Sequence, residues 1–423
     1  MAETRPLRVL WVATKAPWPP RDGGRLLQLE TLRLLASAGG GEPAVEVELV
    51  APAPRREHEA IARALASMCS ARLVDAGPLP LPLAMMRAIV RAEPVTAARH
   101  RLGAVAREVS RAAEESAFDV VHAEQVQAMP QALAARLPVL LRAQNVESEL
   151  WRGAIHHRGD TAGDGGPTDV GSGAGVEHRP NFLTGLRRRE ARRLARWEAS
   201  MLREAALTLA VTERDAATLS ALAPGARIEA LPVPFPAELP PGPALPGAPA
   251  LALLAGAGWQ PNREGADAFV AGPWPHVLRA LPEAQLHVFG DVKAAARGVS
   301  HHPAPADPAA AFPAGAILVV PLAVASGVRM KVLEAWARGL PVVATPAAAA
   351  GLAATSGEQL LVAEMGQPLA DALLALAGDA ALRDRLVRSA RELLRRRHAP
   401  SLLRARLLSC YAAAAGASGP GRR

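Results

Sequence analysis

Residues 326–345, Ser326-Gly-Val-Arg-Met-Lys-Val-Leu-Glu-Ala-Trp-Ala-Arg-Gly-Leu-Pro-Val-Val-Ala-Thr345, decide the fold. They follow Ala316-Ile-Leu-Val-Val-Pro-Leu-Ala323, an apolar run of buried-strand length and too short to span a bilayer. Ser326-Gly327 breaks that strand. Val328, Met330, Val332, Leu333 and Trp336 then recur with helical spacing until Gly339, and Leu340 to Thr345 reads as another strand. The unit is β-loop-α-β.

On this helix Lys331 and Glu334 share a face at i, i+3, and Arg329 lies near the N-terminus. Two cations, free backbone N–H groups and the positive end of the helix dipole make an anion site. A carboxylate one turn deeper accepts hydrogen bonds from a vicinal diol, so a diphosphate followed by a ribose fits the spacing. The plainer reading is a surface ion pair on an amphipathic helix. Two features weigh against it. Apolar strands flank the helix, which puts its N-terminus at the carboxyl edge of a sheet, where open α/β sheets bind ligands. In addition, the 48 Lys and Arg residues include only three lysines, Lys15, Lys293 and Lys331, and one of these marks the loop.

These residues resemble the donor-nucleotide signature of glycosyltransferase family 4, the group 1 transferases, which are retaining enzymes of the GT-B fold. In that family a Glu-x7-Glu motif ends in a glutamate on the ribose, and Glu334 corresponds to it. The first glutamate falls at Ser326, a departure from the pattern. Gly327-Val-Arg-Met-Lys-Val-Leu-Glu-Ala335 is similar to the Gly-Thr-Arg-x-Lys-x-Leu-Glu-Ala version, which also lacks the first carboxylate. The resemblance implies a donor nucleotide held by Gly327, Val328, Arg329, Lys331 and Glu334, with Arg329 and Lys331 stabilising the departing diphosphate and Ser326 facing the cleft.

A chain of 423 residues exceeds one ordinary core and fits two α/β domains. Half of it is apolar, and the net charge of +8 is compatible with phosphorylated ligands, nucleic acid or an anionic membrane. The acidic residue and early strand at the N-terminus argue against a signal peptide, and no apolar run reaches membrane-spanning length. Only Cys69 and Cys410 are present, which excludes a disulfide framework or a zinc cluster and suits a reducing cytoplasm.

In the first half, Leu7 to Thr14 reads as a buried strand, and Gly23-Gly24 opens a helix after a proline-rich loop. Paired glycines let a ligand approach backbone N–H groups, although a tight turn without a ligand explains them equally well. Val45 to Val50 is a second strand; Arg55 to Ala71 and Met85 to Ser116 are helical in pattern. Phe118-Asp-Val-Val-His122 reads as a strand ending in histidine, similar to the family strand whose terminal histidine reaches the donor sugar; a structural histidine is the alternative. After the strand Pro138 to Arg142, Gln144 stands where the family often has histidine, while Asn145 and Glu147 are cleft-facing candidates that would serve equally as helix caps. Residues 158–180 read as a mobile loop. The basic helix Leu183 to Glu204 suits either a solvated face or the surface of an anionic membrane.

Residues 233–248 are proline-punctuated and form the expected linker between an N-terminal acceptor-side domain, 1–232, and a donor domain, 249–400. Gly256-Ala-Gly-Trp-Gln-Pro-Asn262 resembles the Trp-x-Pro-Asn opening of the second domain, with Asn262 at the donor. Residues 401–423 correspond to the helix that crosses back to the first domain. The expectation is therefore a GT-B protein that moves a sugar from a nucleotide-diphosphate donor, with retention, to a glycan or lipid-linked acceptor in cell-surface polysaccharide synthesis. It would need no metal, no cofactor beyond the nucleotide-sugar co-substrate and no nucleic-acid partner, and would lie in the cytoplasm or at the inner membrane face. The competing readings are a dinucleotide-dependent oxidoreductase or epimerase, weakened by the missing Gly-x-Gly-x-x-Gly fingerprint, and a catalytically degenerate binding subunit.

Overall fold

The computed structural model describes residues 5–37, 44–153, 182–256, 260–290, 295–305 and 307–417. The stretch 158–180 lies outside them. The first sheet is built from β1 (Leu7–Ala13), β2 (Val45–Pro52), β3 (Ser70–Val74), β4 (Val120–Glu124), β5 (Val139–Ala143), β6 (Leu207–Ala210) and β7 (Ile228–Ala230). Its helices are α1 (Gly23–Ala36), α2 (His58–Leu65), α3 (Leu81–Val90), α4 (Val95–His100), α5 (Gly103–Glu115), α6 (Met129–Ala132), α7 (147–153), α8 (Phe182–Glu204) and α9 (Glu213–Leu222). The second sheet takes β8 (Ala250–Ala255), β9 (Gln285–Gly290), β10 (Val299–His302), β11 (Ile317–Val320), β12 (Val342–Ala344) and β13 (Leu361–Val362). With it go α10 (Gln260–Ala271), α11 (Pro273–Ala280), α12 (Met330–Ala337), α13 (Pro346–Ala349), α14 (Gln367–Gly378), α15 (Ala380–Arg397) and α16 (Pro400–Ala415).

Both sheets are parallel. Their orders are β3-β2-β1-β4-β5-β6-β7 and β10-β9-β8-β11-β12-β13. Each order reverses once, between β1 and β4 and between β8 and β11, and at such a switch point adjacent crossovers leave in opposite directions and open a crevice at the strands' carboxyl ends. The central strands are buried along almost their whole length because helices cover both faces. Val9, Leu10, Trp11 and Val12 have no exposure at all. Gly265 lets α10 lie against the end of β11, since a Cβ there would stand 2.1 Å from the carbonyl oxygen of Pro321.

The structure departs from the sequence reading at the sheet edges. β3 falls partly inside the expected helix 55–71, and β7 and β10 were not expected. All three edge strands are at best half-buried, so they lack the apolar signal of the inner strands. The expected helix 85–116 is three helices. Pro94 and an extended Leu102 separate them, because a residue before proline avoids the helical region and Leu102 has already left it. The proline-punctuated stretch after β7 is packed rather than free. Leu231, Val233 and Phe235 are buried, and the backbone N–H of Phe235, Leu239 and Gly242 donates to His398, Ala337 and Phe312. α16 returns to the first domain, where Leu403, Leu407 and Tyr411 join the core built on β1 and α1.

Candidate functional site

The crevice of the second sheet contains the cations. α12 begins at Met330, two residues later than the pattern suggests, so Val328 and Arg329 precede the helix instead of forming its first turn. Arg329 is buried, yet its Nε and Nη1 find no hydrogen-bond partner among the described residues. Burial lowers its pKa to about 10, with Asp215 opposing the shift. Half-buried Lys331 reaches back over the switch point, its Nζ donating to the Leu254 carbonyl at 2.7 Å and to Asn262 Oδ1 at 2.8 Å. Burial, reinforced by Arg329, pushes Lys331 down to about 7. Two desolvated cations at a helix N-terminus, one with empty donors, form a site that an anion would complete.

Glu334 is buried one turn further on. Its Oε1 accepts from Nε and Nη2 of Arg338 at 3.0 and 2.8 Å. Burial raises its pKa, and the Arg338 guanidinium pulls it back. The carboxylate is thus fixed in place by an i, i+4 partner.

The loop between β11 and α12 docks on the first domain. Gly327 donates its N–H to Asp215 Oδ2 at 3.1 Å, and Ser326 Oγ accepts the N–H of Val146 at 2.8 Å. Gly327 is at φ +73, and a Cβ there would stand 2.1 Å from the carbonyl oxygen of Gln144, so the two loops touch backbone to backbone. The Asn145 amide, oriented as its neighbours require, donates to the carbonyl oxygens of Ser326 and Gln144 at 3.1 and 3.0 Å. Ser326, Gly327 and Asn145 are therefore brought together, but in a contact between domains, and the Gly327 N–H is not free for a ligand. Glu147 opens α7, whose first N–H groups, of Glu147 and Ser148, are capped by the buried Glu198 at 2.9 and 3.1 Å. Burial lifts Glu198 to about 7.

The opposite wall is the carboxyl edge of β1, β4 and β5. Asp22 caps α1 by accepting the N–H of Arg25 at 3.0 Å and is paired with Lys15 Nζ at 2.7 Å. Gly23 lies against Met330, which brings the N-termini of α1 and α12 together; Gly24 lies against Gln144 Oε1. His122 requires correction. β4 runs two residues past it, so it is not terminal, and it has no exposure. Its ring stacks on Trp11 at 3.8 Å, and its nitrogens face Tyr411 Oη at 2.7 Å and Glu124 Oε2 at 3.2 Å. Burial lowers it to about 4, leaving a neutral imidazole sealed beneath the crevice. From Glu124 the network continues through Arg142 to Thr31 and through Gln144 to Gln125 and Thr14.

Comparison with known proteins gives this geometry a context. Residues 250–379 match the family model described as Glycosyl transferases group 1. That match covers the sheet carrying Arg329, Lys331 and Glu334. No curated protein matches the chain. Among solved structures the chain is similar to sucrose-phosphate synthase from Thermosynechococcus elongatus (TM-score 0.67, 15% identity, 98% of this chain and 100% of that one). It is also similar to Anabaena HepE in complex with UDP-glucose (TM-score 0.58, 14% identity, 96% and 99%) and to WaaG, a glycosyltransferase involved in lipopolysaccharide biosynthesis (TM-score 0.55, 16% identity, 94% and 98%). Two parallel-sheet Rossmann-like domains over nearly the whole chain make the fold GT-B.

Several residues of the crevice escaped the sequence reading. Lys15 was signalled by the same scarcity of lysine that marked Lys331. Gln125 carried no such signal. At φ 71 and ψ 151 it holds a conformation costly for any residue but glycine, at the carboxyl end of β4 where ligands bind. Asp215, which anchors the Gly327 loop, lies 112 positions away in sequence.

Proposed function

We propose that the chain is a retaining glycosyltransferase that binds a nucleoside diphosphate sugar in the crevice of its second domain and passes the sugar to a hydroxyl of a glycan or lipid-linked acceptor in cell-surface polysaccharide synthesis. One observation carries this reading: the buried Arg329 guanidinium with unused donors, beside Lys331 and the N-terminus of α12. The diphosphate lies over Arg329 and Lys331, and the ribose hydroxyls meet Glu334. Asn262, which holds the Lys331 ammonium, orients the cation on the phosphate side. A similar structure that holds UDP-glucose supports a nucleotide of this kind.

In the transfer, the bond between the anomeric carbon and the diphosphate oxygen breaks and its electron pair stays on the diphosphate. The acceptor oxygen bonds to the anomeric carbon and gives up its proton to the departing diphosphate oxygen. Arg329, Lys331 and the helix N–H groups lower the barrier because they neutralise charge that develops only as the diphosphate leaves. These cations do the work that a bound metal ion performs elsewhere, so the reading is metal-independent.

The test is calorimetric titration with a panel of nucleoside diphosphates, followed by release of nucleoside diphosphate from the matching sugar donor. Binding and release are expected for one base, with release abolished in Glu334→Ala. Binding unchanged in that variant removes Glu334 from the ribose. Binding without release for every donor identifies a binding subunit instead.

A further inference from the structure

Among the described residues eight large apolar side chains are strongly exposed, and six of them stand on the ten-residue α3: Leu81, Leu83, Met85, Met86, Ile89 and Val90, the last at 84%. Only Ala84 and Ala88, one turn apart, face the protein. The helix is nevertheless held firmly, because Arg193 Nη2 of α8 donates to the carbonyls of Ala88 and Glu93 at 3.0 and 2.9 Å, and Arg87 Nη1 to that of Arg101 at 2.9 Å. A rigid helix that turns its apolar surface outward is unpartnered.

The exposed charge around it is predominantly positive. Arg187, Arg188, Arg189, Arg192 and Arg196 are exposed along α8, and Arg91 and Arg99 flank α3. The nearby carboxylates point inward: Glu93 is buried against Arg101 at 2.8 Å, and Glu190 accepts the N–H of Val95 at 2.5 Å. A second copy of this chain would set arginines against arginines. A surface that offers hydrocarbon and a dense array of phosphates satisfies both features.

We propose that α3 is an interfacial docking helix, which lies in the headgroup–acyl boundary of an anionic bilayer while the α8 arginines rest over lipid phosphates. At 1.5 Å per residue α3 is about 15 Å long, half the thickness of a hydrocarbon core, so it lies in the surface and does not cross it. No described helix is long and apolar enough to span a membrane.

Flotation of the full chain with vesicles of phosphatidylglycerol and phosphatidylcholine, and with phosphatidylcholine alone, tests this without recourse to activity. The wild type is expected on the anionic vesicles at low salt and to be released by high salt. Ile89→Glu with Val90→Glu should lower partitioning about tenfold or more, since both side chains leave the acyl boundary. Arg187→Ser, Arg188→Ser and Arg189→Ser together should cost about fivefold per arginine on anionic vesicles and nothing on phosphatidylcholine. Ile89→Cys carrying a polarity-sensitive dye should shift to the blue on vesicle addition; both native thiols are buried and escape the label. All these positions are exposed, so unchanged thermal melting confirms folding. Absence of binding to anionic vesicles at low salt overturns the proposal, as does full binding by the glutamate variant. A dimeric wild type converted to monomer by the glutamates, with vesicle binding unaltered, would assign α3 to a second copy instead.

Discussion

The two walls of the crevice each bury an arginine. In the first domain the Arg142 guanidinium is saturated: Nε and Nη2 meet Glu124, Nη1 meets Thr31, and the plane lies over the Trp11 ring. In the second, Arg329 is equally buried, 6% exposed against 4%, and its Nε and Nη1 meet no partner among the described residues. A buried charge is tolerated when its donors are used and costs several kcal/mol when they are not. The first arginine therefore belongs to the scaffold, and the second stores a cost that an incoming anion relieves.

Substitution of these two residues should separate stability from function. Arg142→Ala leaves Glu124 buried without its main partner and is expected to destabilise the protein by about 3–5 kcal/mol, measured by chemical denaturation. Arg329→Ala removes an unpaired charge, so thermal melting should stay constant or rise. Turnover should nevertheless fall about 10²- to 10³-fold, the range for loss of one charge-stabilising donor. Equal loss of stability in both variants would show that Arg329 too is structural. A smaller effect is expected where the walls touch. Gly327→Ala places a Cβ against the Gln144 carbonyl in a left-handed conformation, at a cost of about 1–2 kcal/mol for the conformation alone. Scattering should show a larger radius of gyration with each domain intact; an unchanged radius would mean that this contact does not set the domain spacing.

The finest test concerns pH. Burial lowers the Lys331 pKa from its ordinary 10.5 to about 7, so above about pH 7 it is neutral. A bound diphosphate favours the ammonium and raises that pKa, so binding above pH 7 takes up a proton. Affinity should then fall by up to about tenfold per pH unit from about 7 upward. Titration in buffers of different ionisation enthalpy reads the proton directly. Lys331→Met should bind more weakly but without the slope, and a slope retained in that variant assigns the proton to another group.

Much of this architecture was legible in the chain. The β-loop-α-β pattern around Ser326 to Thr345 and the restart at Leu251 follow from apolar periodicity, because inner strands and amphipathic helices must bury one face or both; the return of the last helix was implied only by the family resemblance. The edge strands β3, β7 and β10 were not legible, since half-exposed strands need no apolar run. His122 was misplaced for a related reason. Ala-Glu looks polar enough to end a strand, but Glu124 is buried there by Arg142, a partner 18 residues away.

The sequence by itself determined two parallel α/β units and put Arg329, Lys331 and Glu334 on one loop and helix, because local spacing fixes which side chains share a turn. Only the tertiary structure decided which charges are spent and which are free. Asp215 takes the Gly327 N–H, Arg338 fixes Glu334, Tyr411 and Glu124 enclose His122, and Arg329 is left with open donors. Two of those four pairings, Gly327 with Asp215 and His122 with Tyr411, join residues more than a hundred positions apart, and no local pattern encodes them.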